Sequence, residues 1–184
     1  MIRRLFLATA LSVTACAFAW SEDAPPEPSG YRMEDYRAPT PATLAGARVV
    51  TTAQAEELWA AGAIFIDVLP RVPRPGNLPA GTIWREKPRM DVPGSIWLPD
   101  TGYGALAPSI EAYLRKGLEY ATQGDPSKWV VIYCLQNCWM SWNAAKRALT
   151  LGFAKIAWYP DGTDGWVAAG LPMEERKPFT AQAE

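Results

Sequence analysis

The stretch Trp129-Val-Val-Ile-Tyr-Cys134-Leu-Gln-Asn-Cys138-Trp139-Met-Ser-Trp142-Asn-Ala-Ala-Lys-Arg-Ala-Leu149 decides the fold. Trp129 to Tyr133 is an unbroken apolar and aromatic run rich in β-branched residues, which suits a short strand buried on both faces. From about Ser141 the pattern becomes that of an amphipathic helix running to Leu151, with Gly152 as its stop. A strand that passes through a tight loop into a helix is the building unit of α/β domains with parallel sheets. Ligands of such sheets gather beyond the carboxyl ends of the strands, and Cys134 stands at such an end. A thiol there also faces the amino end of the next helix, whose unpaired N–H groups and dipole favour thiolate over thiol.

Outward from this unit the chain repeats the same alternation. Thr51 or Thr52 caps a predicted helix through Ala61, with Gly62 as its stop, and Ala63 to Val68 reads as a buried strand. A further helix is predicted from Pro108, favourable at a first helical position, to about Gln123, with Gly124 ending it. Lys155 to Trp158 makes the final short strand. Residues 70–95 hold Pro70, Pro73, Pro75, Pro79, Pro88 and Pro93 and read as one long irregular loop. Asp161-Gly-Thr-Asp-Gly165 lacks the twelve-residue pattern of a calcium loop and reads as the turn before the last helix. The fold class is therefore α/β: a single domain over residues 48–176 with a central, largely parallel sheet flanked by helices. A proline-rich arm, 20–47, precedes it and a tail, 177–184, follows. The arm either spaces the domain or lies against it.

The 184 residues and a hydrophobic fraction of 49% suit one domain with a proper core. Arg3 and Arg4 precede an apolar run from Leu5 to about Ala19 that ends in Ala-Phe-Ala, the plan of a secretory signal. At about fifteen residues it is short for a membrane span, and the mature chain is expected to have none. Cleavage is expected after Ala19, giving a periplasmic protein; Val13-Thr-Ala-Cys16 offers the alternative of a lipoprotein lipidated at Cys16. Cleavage removes two of the 18 basic residues and leaves 16 against 19 acidic ones, with no basic patch for nucleic acid. It also leaves Cys134 and Cys138 as an even pair in an oxidising compartment, either a disulfide or a redox couple. The chain has no histidine. That excludes Ser-His-Asp and Cys-His catalysis and histidine-bound metal or haem, and two thiols alone make a poor zinc site, so no metal is expected.

The order Phe65-Ile-Asp-Val68, Val92-Pro-Gly-Ser-Ile96, Val131-Ile-Tyr-Cys134, Ala144-Ala145 and Asp161-Gly-Thr-Asp-Gly-Trp-Val-Ala-Ala-Gly-Leu-Pro172 resembles a rhodanese-like domain over residues 48–175. The Cys-x-x-x-Cys-Trp element, the signal and the turn Trp158 to Trp166 resemble, more narrowly, the exported CXXCW-motif proteins associated with PQQ-dependent alcohol catabolism. The resemblance implies an accessory role beside a periplasmic PQQ-dependent alcohol dehydrogenase, or its electron-transfer or transport components, and an indirect association with PQQ. It also implies a nucleophile at Cys134, on a loop whose amides cradle a persulfide or anionic substrate. The loop here carries no glycine and no arginine before the helix, and Leu69 stands where an arginine often follows Ile-Asp-Val, which counts against thiosulfate sulfurtransferase activity.

Two functions follow. In the first, Cys134 attacks and Cys138 resolves, or the reverse, since Cys138 is nearer the helix start; Leu135, Gln136, Asn137, Met140 and Ser141 form the substrate loop. The chemistry is thiol-disulfide or persulfide (sulfurtransferase-like) exchange, with true sulfurtransfer, Cys134 carrying a sulfane sulfur that Cys138 releases, as a further possibility. In the second, Cys134 and Cys138 form a structural disulfide, and the aromatic loop of a non-catalytic module binds a cofactor or partner. Trp139 is the candidate cofactor-binding residue, able to wall the site or stack on a planar ligand such as a quinone, whereas Trp142 is expected to pack in the core. Arg71, Arg74, Arg85, Lys87 and Arg89 concentrate positive charge in the long loop, and Asp67 is expected to accept loop amides.

Overall fold

The structure, a computed structural model, describes residues 24–85 and 87–180. The expected signal segment and Cys16 lie outside the described residues. Five parallel strands form the central sheet: β1 (Arg48–Val49), β2 (Ile64–Asp67), β4 (Ile96–Trp97), β5 (Val130–Tyr133) and β6 (Ile156–Tyr159), in the order β1-β6-β5-β2-β4. The thiol-loop strand β5 is thus central, with Tyr133 in register with Asp67 on one side and Tyr159 on the other. Every residue of β5 and β6 is buried, which is why these segments show no alternation in the sequence.

Four helices cover the sheet. On one face α2 (Pro108–Thr122) and α3 (Trp139–Thr150) pack through Leu114, Leu118, Trp142, Ala145 and Ala148 onto Ile66, Ile132 and Trp158. On the other, α1 (Thr52–Ala60) and α4 (Gly162–Ala168) pack through Ala55 and Trp166 onto Phe65, Val131 and Tyr133. Local chemistry sets the ends as expected. Thr51 and Gln54 form a reciprocal capping box at α1, Pro108 opens α2, and Gln123 ends it in the left-handed conformation at φ 56°. Among the described residues no helix is long and apolar enough to cross a membrane.

Three short elements depart from the sequence reading. The 70–95 segment is not wholly irregular: it ends in β3 (Arg89–Asp91), antiparallel to β7 (Glu174–Arg176), and β4 follows directly. Asp161-Gly-Thr-Asp-Gly165 is not a turn before a helix but the start of α4 itself, with Gly162 as its first residue. Finally, α3 begins at Trp139, two residues earlier than its amphipathic pattern, so that Cys138 is its N-cap.

The proline-rich arm lies against the domain, along the outer face of α3. Trp139, Trp142, Asn143, Lys146 and Lys146's neighbour Arg147 share that face at helical spacing, and each holds a piece of the arm. Trp139 Nε1 donates to Pro39 O at 3.0 Å and Trp142 Nε1 to Thr43 O at 3.1 Å. Lys146 Nζ donates to the carbonyls of Pro28 and Ser29, and the Arg147 guanidinium lies 4.1 Å from the Tyr31 ring centroid.

Candidate active site

The loop from Cys134 to Cys138 is fastened by two other elements. From α4, Thr163 N–H donates to Cys134 O at 3.0 Å and Asp164 Oδ2 accepts Gln136 N–H at 3.0 Å. Gly162, at φ +53°, passes so close that a Cβ there would stand 2.4 Å from Cys134 O; only glycine allows the approach. From the arm, Tyr36 O accepts Trp139 N–H at 2.9 Å, and Arg37 pairs with Cys138 as an antiparallel bridge. Asn137 adopts φ 54° at the loop crest, where it and Gln136 are exposed.

Beneath this crest both sulfurs are covered, Cys134 at 0% exposure and Cys138 at 2%, and both cysteines carry free thiols. Their settings differ. Hydrogen bonding from the Cys134 thiol, backbone N–H groups of Met140 and Leu135, and the Arg37 charge outweigh burial and bring Cys138 down to about 6. Burial, then the hydrogen bond and negative charge of Cys138, push Cys134 well up. One sulfur thus holds the charge and the other the proton, as interacting pairs do. Cys134 Sγ also lies 3.6 Å from Cys138 O and 3.8 Å from Leu135 O. Ser141 Oγ donates to Cys138 O at 3.1 Å and accepts Trp158 Nε1–H at 3.0 Å, fixing the first helical turn from below.

The backbone cradle implied for an anion at Cys134 is engaged in part. The Gln136 and Trp139 amides are bonded to Asp164 and Tyr36, while Cys138 makes no side-chain cap bond to the first turn of α3. Met140 is otherwise packing, its Cβ and carbonyl abutting Gly102. Trp139 is only 3% exposed. The Arg32 guanidinium lies 5.2 Å from its ring centroid and Trp142 meets it edge-on at 5.5 Å. The indole therefore does not fit a stacked quinone while the arm is in place.

A second polar cluster sits at the same carboxyl end of the sheet, around Arg89 from the long proline-rich loop and Asp67 from the end of β2. Arg89 Nε pairs with Asp67 Oδ2 at 2.6 Å and its Nη2 reaches Asp91 Oδ1 at 3.8 Å and Thr163 Oγ1 at 3.5 Å. Asp67 Oδ1 accepts Leu69 N–H at 3.0 Å, as expected of a loop acceptor. Tyr133 Oη donates to Asp91 Oδ1 and lies 2.6 Å from Ser95 Oγ, while Asp91 Oδ2 has no hydrogen-bond partner among the described residues. Burial, reinforced by the Asp67 charge and only partly offset by Arg89, pushes Asp91 up to about 8. Arg71, Arg74, Arg85 and Lys87 remain exposed. A Pro-rich loop gave no sign that Arg89 alone would turn inward; the signal was Asp67 itself, an acid at a buried strand end that needs a counter-charge. Among the described residues no cluster suits a metal ion.

No protein-family model matches the chain, and no curated protein matches it. Among solved structures it is similar to thiosulfate sulfurtransferase from Pseudomonas aeruginosa, with a TM-score of 0.49 and 20% identity over 74% of this chain; the match spans only 22% of that enzyme. It is also similar to the polysulfide-sulfur transferase homodimer from Wolinella succinogenes, with a TM-score of 0.42 and 21% identity, over 72% of this chain and 81% of that one.

Proposed function

We propose that this chain is an exported, rhodanese-like thiol protein that exchanges disulfides through Cys138 and Cys134. The observation that carries the reading is the placement of the pair, two buried free thiols with Cys138 at the N-cap of α3 and Cys134 at the end of β5, a setting that lowers the pKa of the first and raises that of the second. Cys138 attacks, the assignment of roles that the sequence left as the alternative. Its thiolate displaces one sulfur of a substrate disulfide, forming a mixed disulfide and releasing a thiolate. That leaving group takes the Cys134 proton, and Cys134 then attacks Cys138 Sγ. The second substrate thiolate departs, the Cys134–Cys138 disulfide forms, and two electrons have passed to the substrate. With the Gln136 and Trp139 amides engaged and Cys134 fully buried, this exchange suits the site better than storage of an anionic persulfide on Cys134. The pathway follows the resemblance of Cys-x-x-x-Cys-Trp: the disulfide partner belongs to periplasmic PQQ-dependent alcohol oxidation, a dehydrogenase or its electron-transfer or transport components.

Cys134→Ser tests this, because it removes the resolving thiol. Expressed with its signal, the variant is expected to accumulate mixed disulfides on Cys138, and mass spectrometry of the trapped partners identifies the pathway. Wild type and Cys138→Ser are expected to trap none at Cys138. A wild-type disulfide that resists reduction below about −300 mV, with no trapping by Cys134→Ser, would establish a structural staple instead.

A further inference from the structure

The arm brings a positive charge to the mouth of the thiol site. Arg37 is exposed, its backbone pairs with Cys138, and its charge acts on that thiol. The other cations near α3 are committed. Arg32 stacks on Trp139, donates to Glu34 O and pairs with Asp35 at 3.6 Å. Lys146 is held by two arm carbonyls, and Arg147 by Gly104 O and the Tyr31 ring. Among the described residues Arg37 makes no ion pair and no side-chain hydrogen bond.

We infer that Arg37 is the specificity residue of this site, selecting disulfides that carry negative charge next to the reacting sulfurs. The inference rests on Cys138 being the attacking sulfur. Three features argue for it. The loop between strand and helix contains no cation of its own. The α4 side of the crest is acidic, with Asp164 at Gln136, so an anion is guided to the arm side, toward Arg37. And an exposed guanidinium retains its five donors for a carboxylate or sulfonate. The groups that face Cys138 are Cys134 from the end of β5, Arg37 from the arm and Tyr103 from the segment before α2. Of these Arg37 is the only cation.

Paired alkylating agents test it. Iodoacetate and iodoacetamide perform the same displacement at sulfur and differ in charge, and peptide mass spectrometry assigns each adduct to Cys134 or Cys138. At pH 8 the ratio of iodoacetate to iodoacetamide rates at Cys138 is expected to fall about threefold in Arg37→Gln and about tenfold in Arg37→Glu, as for unit charges roughly 7 Å apart across water. Arg37→Lys is expected to restore most of it. An unchanged ratio in both Arg37→Gln and Arg37→Glu, with Cys138 still reacting as a thiolate below pH 7, overturns the role of Arg37 and leaves the attacking sulfur intact. Iodoacetamide labelling of Cys138 that follows an ordinary thiol near 8.5, or that occurs only after denaturation, overturns the attacking-sulfur reading and this inference with it.

Discussion

Asn143 grips Arg32 as a neighbouring strand would. Its Oδ1 accepts the Arg32 N–H at 2.9 Å and its Nδ2 donates to the Arg32 carbonyl at 2.9 Å, with the second Nδ2 proton going to Gly102 O at 3.0 Å. Three of its bonds are thus made inside a buried pocket. Asn143→Asp keeps the shape but removes both donors and adds a charge. It is expected to cost about 2–4 kcal/mol in urea unfolding. Tryptic cleavage after Arg32 and Arg37 should also quicken in the folded protein; an arm as resistant as wild type would show that Asn143 does not hold it.

Arg89 pairs with two buried carboxyl groups, Asp67 and Asp91. Arg89→Met retains much of the side-chain bulk and leaves Asp67 charged and unpaired. The expected loss is about 3–5 kcal/mol at neutral pH, the cost of breaking a buried pair from one side. Chemical denaturation at pH 7 measures it.

Asp91 gives stability a falling slope with pH. Its folded carboxyl titrates at about 8 and the unfolded one near 4. Between those values the folded state holds the extra proton, so stability drops as pH rises, and the loss is complete above 8. Cys138 works in the opposite sense between about 6 and the ordinary thiol range, its depressed value adding stability as pH rises. Asp91→Asn keeps an acceptor for Tyr133 and does not titrate. It should match wild type near pH 4 and exceed it by about 1–3 kcal/mol at pH 9. Since Cys138 is common to both proteins, their difference isolates Asp91, and a difference that stays constant with pH would refute its titration.

Cys134→Ala removes the leading contributor to the low value of Cys138. The Cys138 thiolate, followed by its ultraviolet absorbance, is expected to titrate near 6 in the wild type and about 1 unit higher in the variant. Cys134→Ser, which keeps a hydroxyl donor, should fall between them. Identical titrations in all three would assign the depression to the backbone amides and Arg37 instead.

The long elements were legible because each carried its own local signal. The apolar run 129–133, Pro108 with Gln123 and Gly124, and the Thr51 to Gln54 spacing each correspond to an observed strand, helix limit or cap. The strands β3 and β7 were not, since Arg-Met-Asp and Glu-Glu-Arg contain no apolar alternation and exist through pairing with each other. The thiol pair could be found from position in the chain. Its inequality could not, because it depends on amides, on burial and on an arm distant in sequence. The start of α3 was read late for a related reason: Trp139 and Met140 are buried by the arm and loop, so the amphipathic stripe does not mark them as helical.

Gly162 shows how little room separates the thiol loop from α4. Cys134 O and the α4 start meet backbone to backbone, at a distance no side chain tolerates. Position 162 is consequently a purely steric handle on the two sulfurs. A single methyl group added there would wedge the loop away from the sheet and respace the pair, while every ionisable group in the molecule kept its identity.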